Sequence, residues 1–283
     1  MASWGEVDSG VLVACRMRNL TKLVLLLVLA FPSELALGQE QASPQNDQAR
    51  SPVQAVETER PIALKQFGID ILHQQRQIFT FPWRAAHGSH WKAVTGVTFG
   101  TAALVVLDPY TEPPFHDRTQ FDNYKTGPLR GRNTTLAVTV TPAVFFVMGL
   151  ATHNTYTRNT GLLAAEALVD TQVASFAIKQ AVGRLKPSDI PPHGNLRDTW
   201  FKYEGNLVNG GGFPSGHTAS AFGVATVIAE RYRHRRWVPF AAYGVATVLS
   251  LSRLPTRAHF PSDIFIGAAM GYSISHFVVL RRQ

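Results

Sequence analysis

Two histidines and their near neighbours have residue types and spacings that suit chemistry on a phosphate. Asp263 follows His259 by four residues, so the two side chains share one face if a helix begins nearby. The carboxylate can then hold the proton on one imidazole nitrogen and leave the other nitrogen free as a nucleophile. Arg253, six residues before His259, can bind an anion beside it, and His217 enters an apolar run after a Ser-Gly turn. Together these residues predict a site that attacks phosphorus.

A third element lies upstream, where an apolar segment ends with three cations within eight residues. Lys179 and Lys186 are seven residues apart, which is about two helical turns, so both can face one pocket. Pro187 is then expected to end the helix. Taken alone, such a run is more often a solvated helix end, and a lone His–Asp pair is more often structural. Their occurrence in one chain favours an anion site.

In this order, the three elements resemble the type 2 phosphatidic acid phosphatase and vanadium haloperoxidase superfamily. Its pattern is Lys-x6-Arg-Pro, then Pro-Ser-Gly-His, then Ser-Arg-x5-His-x3-Asp. The second block is intact at residues 214–217 and the third at residues 252–263, whereas Lys186 stands where the family has arginine. The resemblance covers roughly residues 90 to 280. It implies an all-α helical bundle of this type, multi-pass in a membrane.

The resemblance also implies a role for each residue. His259 would attack phosphorus in line to give a phosphohistidine, with Asp263 orienting it. His217 would protonate the leaving oxygen and then activate water, so it should titrate near neutrality. No metal or cofactor is implied, because fixed cations neutralise the phosphate. The expected phosphate-binding residues are Lys179, Lys186, Ser215, Gly216 and Arg253.

Lys186 is the one departure from the family pattern. Lysine keeps the charge of arginine but loses the planar fork that grips two phosphate oxygens. We therefore expect weaker phosphate binding with the chemistry retained. Arg184, two residues earlier, could compensate, although a helix would turn it away from Lys186.

Composition favours a membrane protein over a nucleic-acid binder. The net charge is +8, yet charged residues make up only 16% of the chain and hydrophobic residues 45%, whereas about 25% charged residues is usual. The basic clusters at 231–236 and 281–282 come directly after apolar segments. This arrangement suits membrane edges rather than the basic stripe of a nucleic-acid binder. The expected partners are a lipid phosphate substrate and membrane lipids, with no nucleic acid.

The N-terminal part reads as an export signal, in which basic residues precede the apolar run 23–31. Met17 gives a more typical opening than the residues before it, and an uncleaved anchor helix is the alternative. A Gln-, Ser- and Pro-rich stretch follows and predicts a flexible linker. The expected divisions are a signal peptide at 1–38, a linker at 39–60, an amphipathic surface segment at 61–89 and a phosphatase domain at 90–283.

The segment at 61–89 has the spacing of an amphipathic helix. Leu64, Phe67, Ile71 and Ile78 can share its apolar stripe, with Asp70, Gln74 and Gln77 off it. Such a helix either lies on a membrane surface or packs on the main domain.

Beyond residue 90, six apolar segments have helical length and no strict alternation. Several are shorter than the roughly 20 residues of a spanning helix, which leaves a soluble exported protein as the alternative to a membrane protein. Glu166 and Asp170 must then face a bundle interior or a polar cavity. Glycine pairs at four-residue spacing, 96/100 and 267/271, either let helices pack closely or reflect ordinary membrane-helix composition. The six segments are 91–107, 134–151, 160–178, 217–230, 237–251 and 264–280.

Charge also predicts orientation. The three blocks flank helices so that they can meet at one membrane face, and the basic clusters fall at the opposite face. Basic clusters prefer the cytoplasm, so the site is expected to face the periplasm or exterior, or to lie in a soluble periplasmic protein. An exported N-terminus followed by three full spans would place Lys179 inside, so one of the early segments is expected not to span.

Four functions remain open on these residues. The leading one is a metal-independent phosphatase acting on a lipid phosphate or pyrophosphate. The alternatives are a soluble exported acid phosphatase, a vanadate-dependent haloperoxidase and a non-catalytic lipid-binding membrane protein.

Overall fold

The computed structural model describes residues 59, 62–88, 90–111, 127–191, 194–203 and 211–282. The expected signal peptide, and almost all of the linker, lie outside the described residues. Over these ranges the chain is helical without strands, so the predicted all-α class is confirmed. The helices are α1 (Leu64–Ala86), α2 (Trp91–Thr111), α3 (Gly131–Ala151), α4 (Thr155–Val182), α5 (Gly216–Arg231), α6 (Trp237–Leu251) and α7 (Pro261–Ile274), with short turns at Pro187–Asp189, Ser275–Val279 and Leu280–Arg282.

Four helical segments of the described chain are long and apolar enough to cross a membrane. They include α2, α3 and α4, with the last extended to Asp189, and α7 extended to Val279. The three early helices all have spanning length, so length does not single out one of them as the segment expected not to span. Large apolar side chains face outward, including Phe99 at 76% exposed and Phe240 at 81%, as lipid contact requires.

The middle of the bundle is α5, which packs against α4, α6 and α7. Its apolar and small residues are buried on nearly all sides, as expected of a helix surrounded by others. The α7 contact depends on glycine: a Cβ at Gly271 would lie 2.2 Å from the Ala219 carbonyl oxygen, and one at Gly267 2.7 Å from that of Ser215. The close-packing prediction is confirmed for this pair. Gly100 faces the ring of Phe265, but Gly96 faces open space.

The end of α4 differs from the prediction. Its last helical residue is Val182, and Gly183 follows in the left-handed region at φ 54°, where glycine is favoured. Lys186 therefore lies beyond the helix rather than two turns along one face from Lys179, and Pro187 begins a separate short turn. The helix stops four residues earlier than the lysine spacing implied because glycine ended it before proline could.

The amphipathic helix α1 packs against α4 through polar as well as apolar residues. Gln74, predicted to lie off the buried stripe, is only 1% exposed, and its amide donates a 2.7 Å hydrogen bond to Glu166. Gln75 donates to Asp170 at 2.6 Å. Glu166 and Asp170 are buried in the bundle as expected. The prediction placed Gln74 off the buried face of α1 because the sequence does not show that glutamines of α1 pair with carboxylates of α4.

One end of the bundle gathers the residues of the three sequence blocks. Arg184, just after α4, bonds Asp108 near the end of α2 and Ser262 at the start of α7. Arg253, just after α6, donates to the carbonyl of Leu129 just before α3. The basic clusters follow α5 and α7, so they lie at the opposite end.

Candidate active site

A cavity of about 540 Å³ lies at the gathered end, between α3, α4 and α5. Five of the eight predicted site residues line it: Lys179, Lys186, Gly216, His217 and His259. The remaining three, Ser215, Arg253 and Asp263, are buried behind its wall. The chemistry therefore has to be argued from two histidines and two lysines, with the others in support.

His259 is held by a backbone carbonyl. Its Nδ1 lies 2.8 Å from the carbonyl oxygen of Gly212, and since a carbonyl only accepts, Nδ1 carries the proton and Nε2 is free of it. Burial lowers the pKa of His259, although Asp263 acts in the opposite direction. The imidazole is therefore neutral, with a lone pair on Nε2, which is the form that can attack phosphorus.

Asp263 does not share a helix face with His259. The helix α7 begins at Pro261, after His259, and the carboxylate oxygen is 3.7 Å from Nδ1, beyond hydrogen-bond distance. That oxygen instead accepts from the backbone N–H of Phe260 at 2.8 Å. The Gly212 carbonyl, rather than Asp263, is therefore the nearest acceptor for the proton on His259. The carboxylate fixes the start of α7 and supplies negative charge close to the ring.

Arg184 is the residue that sequence reasoning missed most clearly. Its guanidinium is 1% exposed and donates to Asp263 and Asp108, both at 2.6 Å, as well as to Ser262 at 2.7 Å. It also stacks on the rings of Trp200 and Phe260, at 4.4 and 4.2 Å from their centroids. Arg184 does not replace the missing motif arginine at the cavity, because its donors are committed to this buried network.

Sequence carried a weak signal for this network. Asp108 is the one acidic residue in the apolar helix α2, and a buried charge in such a helix needs a partner. The partner, Arg184, is 76 residues away, so spacing alone could not identify it. Gly212 and Thr135 were missed for a different reason: one acts through its backbone and the other is a common residue type.

His217 faces His259 across the cavity, with ring centroids 6.4 Å apart. Its Nε2 is 2.7 Å from the hydroxyl of Thr135, which itself donates to the Gly131 carbonyl at 2.8 Å. Since that hydroxyl proton is committed, Nε2–H of His217 is the donor. In the empty site this proton points at the hydroxyl of Thr135, which lines the same cavity.

The pKa of His217 is lowered to about 3 in the empty site. Burial is the largest cause, followed by His259 and the cations Arg253, Lys179 and Lys186. His217 lies in the first turn of α5, outside the four candidate spans. The expectation of titration near neutrality is therefore wrong for the empty cavity. A bound phosphate brings negative charge that opposes these cations.

The cations differ in how they reach the cavity. Lys179 donates to the carbonyl of Gly211 at 2.7 Å, and Lys186 lies 5.6 Å from the ring centroid of Tyr203; both line the cavity. Arg253 is 2% exposed and bonds Ser252 and Leu129, and burial lowers its pKa to about 10. Arg253 contributes charge from behind the wall.

Ser215 caps α5 instead of lining the cavity. Its hydroxyl accepts from the backbone N–H of Thr218 at 3.4 Å and from the hydroxyl of Thr218 at 3.0 Å. Such a cap presents the first turn of α5, including Gly216 and His217, to the cavity. A helix N-terminus there also favours an anion. Within the described part of the chain, no group of three His, Cys, Asp or Glu side chains is placed to hold a metal ion.

The sequence is similar to those of known proteins over its C-terminal part. Residues 160–283 match the PAP2 superfamily. The chain is 32% identical over 119 residues to a lipid A 4'-phosphatase from Bacteroides thetaiotaomicron, covering 40% of this chain and 52% of that protein. It is 35% identical over 94 residues to a lipid A 1-phosphatase from Porphyromonas gingivalis, covering 33% and 17% of the two chains.

A solved structure is also similar. It is the first transmembrane PAP2 type phosphatidylglycerolphosphate phosphatase from Bacillus subtilis, at 17% identity and a TM-score of 0.39, covering 73% of this chain and 94% of that one. The matched part of this chain spans about half, or less, of the length of the curated relatives.

Proposed function

Because residues 160–283 match the PAP2 superfamily, we propose that the chain is a metal-independent phosphatase. Its substrate is a lipid phosphate or pyrophosphate, and its reaction proceeds through a phosphohistidine. The observation that carries the proposal is the 2.8 Å contact from Nδ1 of His259 to the Gly212 carbonyl. This contact leaves Nε2 as a nucleophile aimed at a cavity that two lysines line.

In the first step, Nε2 of His259 attacks phosphorus and the bond to the leaving oxygen breaks. His217 carries a proton on both ring nitrogens once the bound phosphate has raised its pKa. It gives the Nε2 proton to the leaving oxygen and becomes neutral, so the lipid leaves as an alcohol, or as a monophosphate when the substrate is a pyrophosphate. Lys179, Lys186 and the N-terminus of α5 neutralise the equatorial oxygens, where transition-state charge accumulates. In the second step, His217 takes a proton from water, which attacks the phosphohistidine and releases phosphate and free His259.

A lipid substrate is supported by what surrounds the cavity. Two of the three helices around the cavity, α3 and α4, have membrane-spanning length. A smaller apolar groove of about 100 Å³ between α3, α5 and α6 shares Val138 and Leu249 with the cavity, so an acyl chain can run from it. The curated relatives act on lipid A, which makes a lipid A phosphate the first substrate to test.

The test is phosphate release by detergent-purified protein in EDTA, from a panel of lipid phosphates and a soluble aryl phosphate. Wild-type protein should release phosphate, and His259→Ala should lose at least about a thousandfold in kcat. The control is His73→Ala, which removes an exposed histidine of α1. Acid-labile phosphate bound to wild type, increased in His217→Asn and absent in His259→Ala, would identify the intermediate. Full activity of folded His259→Ala would contradict the mechanism.

A further inference from the structure

The cavity has more room than a phosphate needs. Its volume of about 540 Å³ is within the range of roughly 300–1,000 Å³ that holds drug-sized ligands. Gln172 and Ser175 line it on the same face of α4 as Lys179, at seven and four residues before the lysine. At 1.5 Å per residue, this polar face reaches about 10 Å below Lys179. The group attached to the phosphate has room to lie along this face.

Ser175 is a buried polar group that no described residue of the protein satisfies. Its side chain is 1% exposed, and its hydroxyl oxygen has no hydrogen-bond partner among the described residues. Leaving such a group unsatisfied costs roughly 1–3 kcal/mol, and native proteins rarely do so. A ligand in the cavity can supply the missing bond.

Gln172 defines the chemistry of that ligand more closely. Its Nε2 donates to the hydroxyl of Ser220 at 2.7 Å and lies 3.4 Å from the carbonyl oxygen of Gly216. Because the carbonyl only accepts, the amide nitrogen must be on this side, and Oε1 remains as an acceptor. An acceptor facing the cavity selects a ligand that donates.

We propose that Gln172 and Ser175 form a binding site for a hydroxyl or amide N–H of the substrate headgroup. The phosphate is then carried on a sugar or polyol rather than directly on diacylglycerol or a polyprenyl chain. Neither diacylglycerol phosphate nor a polyprenyl pyrophosphate has a donor on the carbon skeleton beside the phosphate, whereas sugars and glycerol headgroups do. This inference rests on the proposed phosphatase function and names the class of its substrate.

The experiment compares Ser175→Ala and Gln172→Met with wild type on four substrates: lipid A bisphosphate, phosphatidylglycerol phosphate, phosphatidate and p-nitrophenyl phosphate. Gln172→Met keeps the length of the side chain while removing both the Oε1 acceptor and the Nε2 donor to Ser220. The matched control is Ser275→Ala. Ser275 is also buried, and its hydroxyl has no hydrogen-bond partner among the described residues, but it does not line this cavity. Melting temperature is measured for every variant.

We expect each variant to lose about tenfold or more in kcat/KM on a headgroup-bearing lipid, as an unpaired buried group predicts. Phosphatidate and p-nitrophenyl phosphate should change less than about twofold, and Ser275→Ala should match wild type. A loss confined to lipid A identifies a sugar, and a loss on phosphatidylglycerol phosphate identifies a glycerol headgroup.

An equal loss on all four substrates, no loss on any, or a wild-type preference for phosphatidate would each overturn the headgroup site. These outcomes leave the phosphatase function intact, because phosphate is still released. Absence of phosphate release by wild type from every lipid would instead overturn the proposed function.

Discussion

At the residue scale, the two histidines depend on different neighbours for their protons. His259 is fixed by the carbonyl of Gly212, and His217 by the hydroxyl of Thr135. The sequence blocks located both histidines, because each lies inside a short motif with fixed spacing. The partners could not be read in the same way, since a backbone carbonyl leaves no signature in residue type.

Lys186→Arg should strengthen phosphate binding. Lys186 lines the cavity, and an arginine there could hold two phosphate oxygens where lysine offers a point charge. We expect KM to fall about three- to tenfold with kcat within about twofold, measured by steady-state phosphate release. Lys202→Arg is the control, because Lys202 is exposed and pairs with Asp198. Unchanged KM and kcat would show that lysine at this position does not weaken phosphate binding.

Anion binding should be coupled to protonation of His217. In the empty site its pKa is lowered to about 3 by burial and by the nearby His259, Arg253, Lys179 and Lys186. A bound anion raises this pKa. At pH values between the pKa of His217 in the free protein and that in the complex, the complex holds more protons than the free protein. The affinity for the anion therefore increases as pH falls. Inhibition by sulfate, which stays dianionic, should strengthen from about pH 7 to pH 5.

The affinity for sulfate can change by up to about tenfold per pH unit. His217→Gln removes the titrating group and should remove most of this change. An equally steep profile in the variant would assign the proton to another group.

At the element scale, the buried network of Arg184, Asp108 and Asp263 joins three helix ends behind the nucleophile. The sequence predicted the helices themselves, because their apolar runs are long and end in glycine, proline or charge. It did not predict how α2 meets α4 and α7, since that contact depends on a pair 76 residues apart. The exact end of α4 was also missed, because Gly183 stops the helix before Pro187.

Asp108→Asn should lower both stability and activity. It removes one charge from a pair whose side chains are at most 1% exposed, and breaking such a pair costs about 3–5 kcal/mol. The loop that carries His259 then loses its support through Ser262, so kcat/KM should fall at least about tenfold. The readouts are the melting temperature in detergent and phosphate release.

Asp198→Asn is the matched control for this substitution. Asp198 and its partner Lys202 are 59% and 46% exposed, and such pairs contribute about 0–1 kcal/mol. Its melting temperature should stay within about 1 °C of wild type. If Asp108→Asn behaves in the same way, the network is dispensable.

At the scale of the whole molecule, the cavity and the two basic clusters lie at opposite ends. The arginines of the clusters follow α5 and α7. Composition and hydropathy predicted the helical bundle and this placement of the clusters, but the N-terminal export signal and the basic clusters disagreed about which face is outside. Basic clusters beside spans carry the stronger topological information, so we propose an active site facing away from the cytoplasm.

Cysteine labelling tests this orientation. Cys15 is the single cysteine of the chain, so Cys15→Ser gives a clean background. We expect Lys202→Cys, at the cavity end, to react with a membrane-impermeant maleimide on intact cells. Arg233→Cys, at the other end, should react only after permeabilisation, and the reverse pattern would place the site in the cytoplasm.

The two glutamine–carboxylate hydrogen bonds between α1 and α4 have a consequence for how the molecule is made. Gln74 precedes its partner Glu166 by 92 residues, and Gln75 precedes Asp170 by 95. Most of the docking surface of α1 lies on α4, so it is absent until α2, α3 and most of α4 have been synthesised. Because the glutamines of α1 cannot be left bare in lipid, we expect α1 to stay at the membrane surface until then. It would complete the bundle after α4, although it precedes α4 in the chain.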